Sequence, residues 1–202
     1  MTAGRRETAA GLVLLGSSAA AAALGGRYRW ELGLFRTVNE LPDAIHPPVW
    51  TVMQLGALGA GPALGAVAWG RGRPRLAAQM LVAATASWAT AKVVKRVVHR
   101  GRPAALVTGT RIRGKEATGL GYLSGHSAVA MALMAAAATA ASRRRRVYYA
   151  GVAGVGLARM YVGAHLPLDV VGGFGLGLVV DGALRRYLRA DEFVGPTARL
   201  PR

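Results

Sequence analysis

Apolar positions in this chain gather into long runs with few or no charges, and most charged residues gather into short arginine-rich clusters between them. Six runs approach the roughly 20 apolar residues that a helix needs to cross a bilayer. They cover residues 8–26, 47–69, 76–94, 124–141, 147–163 and 166–184. Residues 27–46 follow a different pattern, mixing Arg27, Trp30, Phe35 and Arg36 with Glu31, Glu40 and Asp43. That mixture predicts an amphipathic segment at the membrane interface, with aromatic anchors. The second run is entered through Pro47 and Pro48, and small residues recur in several runs, which allows close helix packing in lipid. The pattern predicts an all-α, polytopic membrane bundle of six transmembrane helices.

Composition agrees with the patterning. Hydrophobic residues make up 52% of the 202 positions and charged residues 17%, against about 25% charged in an ordinary soluble domain. The runs lie too close together for a linker, so a single unit is expected. Residues 1–46 would supply the first span and the interfacial segment, 47–188 a five-span core, and 189–202 a cytoplasmic tail. The first run follows Arg5 and Arg6 and resembles a signal peptide, but the further spans favour a retained helix. With no cysteine, disulfides and thiolate metal sites are excluded.

The formal net charge of +17 would suggest a nucleic-acid partner in a soluble protein. Here the basic clusters fall between apolar runs and lack interleaved aromatic residues, so no nucleic acid is expected and the partner is the lipid bilayer. Six crossings put both termini on one side, together with Arg71, Arg73, Arg75, the run from Arg143 to Arg146, and Arg185, Arg186 and Arg189. By the positive-inside rule that side is the cytoplasm and the membrane is the plasma membrane. The loop after the third run is also basic yet falls on the opposite side, which suggests that its cations serve chemistry.

Three clusters at the ends of runs three, four and five share that opposite face. The first reads KRVVHRGRP from Lys95 to Pro103, with Lys95 and Arg102 able to curl toward one point around Gly101. The second is Leu123-Ser124-Gly125-His126, where Ser124 is a good N-cap and the helix N-terminus suits an anion. His126 is placed to donate a proton to a leaving oxygen. The third runs from Arg159 through His165 to Asp169, and the four-residue spacing of His165 and Asp169 allows one helical turn to bring carboxylate to imidazole. Pro167 suits the first turn of the sixth helix. His46 and His99 are read as interfacial and loop residues outside the site.

Taken together, these clusters resemble the type-2 phosphatidic acid phosphatase and haloperoxidase superfamily over about residues 47–188. Lys95, Arg102 and Pro103 match its first motif, Ser124, Gly125 and His126 its second, and Arg159, His165 and Asp169 its third. Leu123 stands where the family pattern has proline and Ala158 where it has serine. The resemblance implies an integral membrane lipid phosphatase acting on a lipid phosphate or diphosphate at the extracytoplasmic face, with a polyprenyl carrier favoured over a glycerolipid phosphate. It implies that His165 forms a phosphohistidine, that Asp169 steadies it and that His126 protonates the leaving group. Lys95, Arg102, Arg159, Ser124 and the Gly125 N–H would hold the phosphoryl oxygens. No metal and no cofactor are implied, and the remaining acidic residues are too scattered for a two-metal site. A lipid-linked phosphotransferase and a non-catalytic scaffold stand as alternatives, and the oligomeric state is left open.

Overall fold

A computed structural model describes residues 3–25 and 28–193 of the chain, and all regular structure among them is helical. Gly26, Arg27 and residues 194–202 of the expected tail lie outside the described residues. The first run forms α1 (Ala3–Ala23), and the amphipathic segment forms α2 (Arg29–Asn39). The remaining elements are α3 (His46–Met53), α4 (Ala60–Gly70), α5 (Pro74–Val97), α6 (Pro103–Leu106), α7 (Gly125–Ala140), α8 (Arg145–Tyr161) and α9 (Pro167–Phe193).

The helical period shows on α2, where Glu31, Phe35, Val38 and Asn39 fall on one buried face. Only one of the two expected aromatic anchors points outward. Trp30 is 55% exposed, whereas Phe35, at 1%, anchors α2 to the protein itself.

Residues 47–69 do not form one straight span. A 3-10 turn at Gln54–Gly56 separates α3 from α4, and the two stretches bend by 72°. Gly56, Gly59 and Pro62 lie close together there. Pro62, in the first turn of α4, has no N–H to donate, and its ring clashes with the carbonyl one turn back, so α4 does not extend backward as one straight helix into α3. At Gly56 a side chain would collide with the His126 carbonyl, so the break also lets this segment press on the start of α7.

Among the described residues, Pro167–Leu188 is the one stretch of helix long and apolar enough by itself to cross a bilayer. The bent pair passes when its halves are taken together. The apolar helix α7 has 16 residues, short of the usual crossing length.

Helix α9 is the centre of the bundle, packed along α1 on one side and α7 on another, while α5 packs on α4 and α7. Glycine makes the α7–α9 approach possible. A Cβ at Gly173 would stand 2.5 Å from the Ser124 carbonyl, and one at Gly177 2.5 Å from that of Ala128. The arginine-bearing helix ends meet at one end of the bundle. Arg185 of α9 pairs with Glu7 of α1 and donates to Thr139 Oγ1 at 2.7 Å, and Arg73 reaches the Ala140 carbonyl at 3.4 Å. The C-termini of α5 and α8 and the N-termini of α7 and α9 therefore share the other end.

Candidate active site

The arginine-to-histidine spacing of the third cluster follows from how α8 stops. Gly163 adopts φ +75°, a left-handed conformation open to glycine, and donates to Met160 O at 2.9 Å. Ala164 N–H then reaches back to Arg159 O at 3.1 Å, completing a Schellman cap. His165 N–H shares the same carbonyl at 3.2 Å. The backbone of Arg159 thus holds the backbone of His165, which fixes where both side chains begin.

The start of α9 is capped just as tightly. Asp169, in the first turn, accepts the Leu166 N–H on Oδ2 at 2.9 Å, as an acidic residue does in a capping box. The same Oδ2 lies 3.6 Å from His165 Nδ1, too long for a hydrogen bond and close enough for electrostatic support. Oδ1 of Asp169 accepts from Arg100 Nη1 at 3.0 Å. Asp169 is wholly buried, and His165 is 3% exposed.

Ser124 caps α7 as its sequence suggests, accepting the Ser127 N–H at 3.4 Å and its hydroxyl at 3.0 Å. Its own N–H donates to Asp169 O at 2.8 Å, which ties the second cluster to the third. At Gly125 a Cβ would meet only Ala91 Cβ, at 3.9 Å, an ordinary contact, so the backbone there is not crowded. The Lys95 ammonium donates to the carbonyls of Leu120, Gly121 and Leu123 at 3.3, 3.0 and 2.6 Å, latching the approach to Ser124. Arg102 donates to Thr118 O at 3.0 Å and Ala164 O at 2.9 Å.

A cavity of about 240 Å³ opens between these elements, with Arg102, His126 and Arg159 in its wall. Trp50, Met53 and Gln54 supply the α3 side, and Ile112, Lys115 and Glu116 the loop side. His165 does not line it, although its neighbours Gly163 and Ala164 do. Arg159 Nη1 meets only Met53 Sδ, at 3.1 Å, and its buried Nε has no hydrogen-bond partner. The guanidinium is therefore under-bonded, as an anion-binding group is.

Burial holds the His165 imidazole well below its ordinary pKa of 6.5, and Arg159, Lys95, Arg102 and His126 act in the same direction. The ring is thus a neutral base at neutral pH, the form that can attack. In a nitrogen-15 NMR titration of histidine-labelled protein, His165 is expected to stay neutral through pH 6.5 and to gain its proton only on further acidification. A ring half protonated at that pH would contradict this placement.

Several contributors were not legible beforehand. Arg100 sits at a variable position of the first cluster, and Glu31 belongs to α2, yet they form a buried pair behind Asp169. Asn39 also escaped notice. Its amide donates to Arg111 O, Met160 O and Tyr161 O at 2.9, 3.3 and 3.0 Å, and its Oδ1 accepts the Arg111 N–H at 2.8 Å. Arg113 joins it, reaching Tyr161 O at 2.6 Å and Asp43 Oδ1 at 2.7 Å, so the loop over the cavity is pinned to α2 and α8.

Leu123 is fully buried and offers its carbonyl to Lys95, and Ala158 packs among the core residues Phe35, Met53 and Val107. His99 is exposed, and half-buried His46 lies 6.1 Å from the Tyr161 ring. Among the described residues no three or more His, Asp or Glu side chains gather as a metal site.

No curated protein matches the sequence. Two solved structures share the fold, each at 19% identity. The Aquifex aeolicus LpxE structure superposes with a TM-score of 0.71, covering 80% of this chain and 98% of its own. The transmembrane PAP2-type phosphatidylglycerolphosphate phosphatase of Bacillus subtilis gives 0.52, covering 98% and 100%. The sequence profile of the PAP2 superfamily matches residues 76–192, more than half of the chain and the stretch that holds all three clusters. This chain belongs to the PAP2 superfamily.

Proposed function

We propose that the protein is a membrane lipid phosphatase that removes a phosphate from a lipid phosphate or diphosphate through a phosphohistidine on His165. The observation that carries this reading is the gathering of Arg102, His126 and Arg159 in the wall of one cavity beside the buried His165. Asp169 faces Nδ1 of that ring, which leaves Nε2 to attack. The Nε2–P bond forms as the P–O bond to the lipid breaks, and His126 gives its proton to the departing oxygen. Water then attacks the phosphohistidine, with His126 taking its proton, and inorganic phosphate leaves. Arg102 and Arg159, with Lys95 and the Ser124–Gly125 helix start, would hold the equatorial oxygens, where charge accumulates in the transition state.

A lipid substrate is supported by the surroundings. A second cavity of about 330 Å³, between α2–α3 and α8, is walled by apolar side chains such as Val38, Ile45, Val49, Val52 and Leu157. Exposed apolar residues such as Leu12, Val13, Val93 and Val147 suit a bilayer. We place the arginine-bearing ends of the bundle in the cytoplasm and the site at the extracytoplasmic headgroup level, with six crossings of which the second is bent. The favoured substrate is a polyprenyl diphosphate or phosphate, followed by a glycerolipid phosphate such as the one in the name of the Bacillus subtilis relative.

The test is phosphate release by purified protein in detergent with EDTA, from undecaprenyl diphosphate, phosphatidic acid and phosphatidylglycerol phosphate. Release from at least one lipid is expected, undiminished by the chelator, and the preferred lipid assigns the substrate class. No release by folded protein from any of the three would overturn the hydrolase reading, and release that needs added metal would overturn the mechanism.

A further inference from the structure

Two buried charges take no direct part in the chemistry above. Glu31 of α2 is 0% exposed and Arg100 is 8% exposed. Arg100 donates to Glu31 through Nη1–Oε1 at 2.9 Å and Nη2–Oε2 at 2.6 Å, and to Asp169 Oδ1 at 3.0 Å. Glu31 Oε1 also accepts the Leu168 N–H at 3.0 Å, one of the amides that the first turn of α9 leaves without a helical partner. Burial by itself would lower the guanidinium pKa, but the bonds and charges of Glu31 and Asp169 together outweigh it and hold the pKa above its usual value. Buried ion groups of this kind are seldom net stabilisers, so a stabilising role alone is a weak account of one placed behind a nucleophile.

The charge count suggests what it does. His165 faces Lys95 from α5, Arg102 from the following loop, His126 from α7 and Arg159 from α8, all of which oppose positive charge on the ring. Attack by Nε2 nevertheless leaves the ring cationic, and the opposing charge comes from Asp169 of α9. An unpaired Arg100 would cancel it. With Glu31 present, two carboxylates surround one guanidinium, and the group keeps one net negative charge beside His165.

We propose that Glu31 is a positioning residue for the phosphoryl-transfer site: by neutralising Arg100 and capping α9, it keeps Asp169 anionic in effect and aimed at His165. This rests on the reading of His165 as nucleophile, and it gives the segment before the matched residues 76–192 a part in the chemistry.

The test compares kcat, KM and the acid limb of kcat/KM for wild type, Glu31→Gln, Glu31→Asp, the double variant Glu31→Gln with Arg100→Met, and His165→Ala. Glu31→Gln is expected to lower kcat by about 10- to 100-fold, the range for losing a hydrogen-bonded support behind a functional imidazole, with little change in KM. Its acid limb moves to lower pH, because an uncompensated guanidinium further disfavours the imidazolium. Removing Arg100 as well is expected to recover most of kcat and return the limb toward its wild-type position. Glu31→Asp keeps the charge with a shorter reach, so kcat falls while the limb stays in place. Unchanged kcat in Glu31→Gln, a double variant no better than the single one, or a limb displaced equally in Glu31→Asp and Glu31→Gln would each overturn the proposal. Release that depends on His165 but not on Glu31 overturns this inference alone, whereas equal release by wild type and His165→Ala overturns the nucleophile reading with it.

Discussion

Replacing His165 with alanine is expected to lower phosphate release by about 10⁴-fold or more, on the scale of nucleophile removal in covalent hydrolases. The substitution should leave the fold intact. The His165 side chain is buried, but its Nδ1 has no hydrogen-bond partner, and the loop around it is held by backbone bonds to Arg159 O that alanine preserves. Two measurements check this. Lipid labelled in the phosphate should leave an acid-labile label on wild-type protein during turnover and none on His165→Ala. The variant should elute and melt in detergent as the wild type does. Full activity in the variant would remove His165 from the mechanism.

Arg159→Ala is expected to follow, with kcat/KM down about 10²- to 10³-fold, the usual loss when one preorganised donor to a developing oxyanion is removed. The three cations differ in how far the protein already occupies them. Lys95 spends its donors on three carbonyls and Arg102 donates to two, whereas Arg159 meets a thioether and keeps a buried Nε unpaired. Removing it therefore breaks little structure and takes away a charge with bonding capacity to spare. Arg159→Lys should recover only part of the loss, because an ammonium cannot reproduce a planar two-point contact. Rates at saturating and limiting lipid measure it, and a loss confined to KM would mean that Arg159 binds substrate and transition state alike.

How much of this could be read from the sequence depends on how local each feature is. Ser124 as N-cap and Pro167 opening α9 were legible because caps are set by residues within one turn. The spacing of Arg159 and His165 was visible as a motif, although its cause, the turn at Gly163, needed the backbone. The bend between α3 and α4 had its signals in Gly56, Gly59 and Pro62, but the apolar run masked them, since hydropathy alone does not separate a straight helix from a broken one. Glu31 and Arg100 stand 69 residues apart, and no periodicity joins an amphipathic helix to a loop arginine across that distance. Asn39 is a similar case, because its partners are backbone atoms of distant segments.

The packing of α1 along α9 bears on the order in which the molecule is built. Glu7 and Arg185, which join the two helices, stand 178 residues apart, so α1 is made long before the surface it needs exists. Loop closure over such a distance is entropically late, and neighbours in sequence such as α4 and α5 find each other first. The sealing of α1 against α9 is therefore the closing step of assembly. A chain interrupted before α9 would leave the small-residue face of α1 turned to lipid, together with a Glu7 that lacks its Arg185 partner, the kind of surface that membrane quality control reads as unfinished.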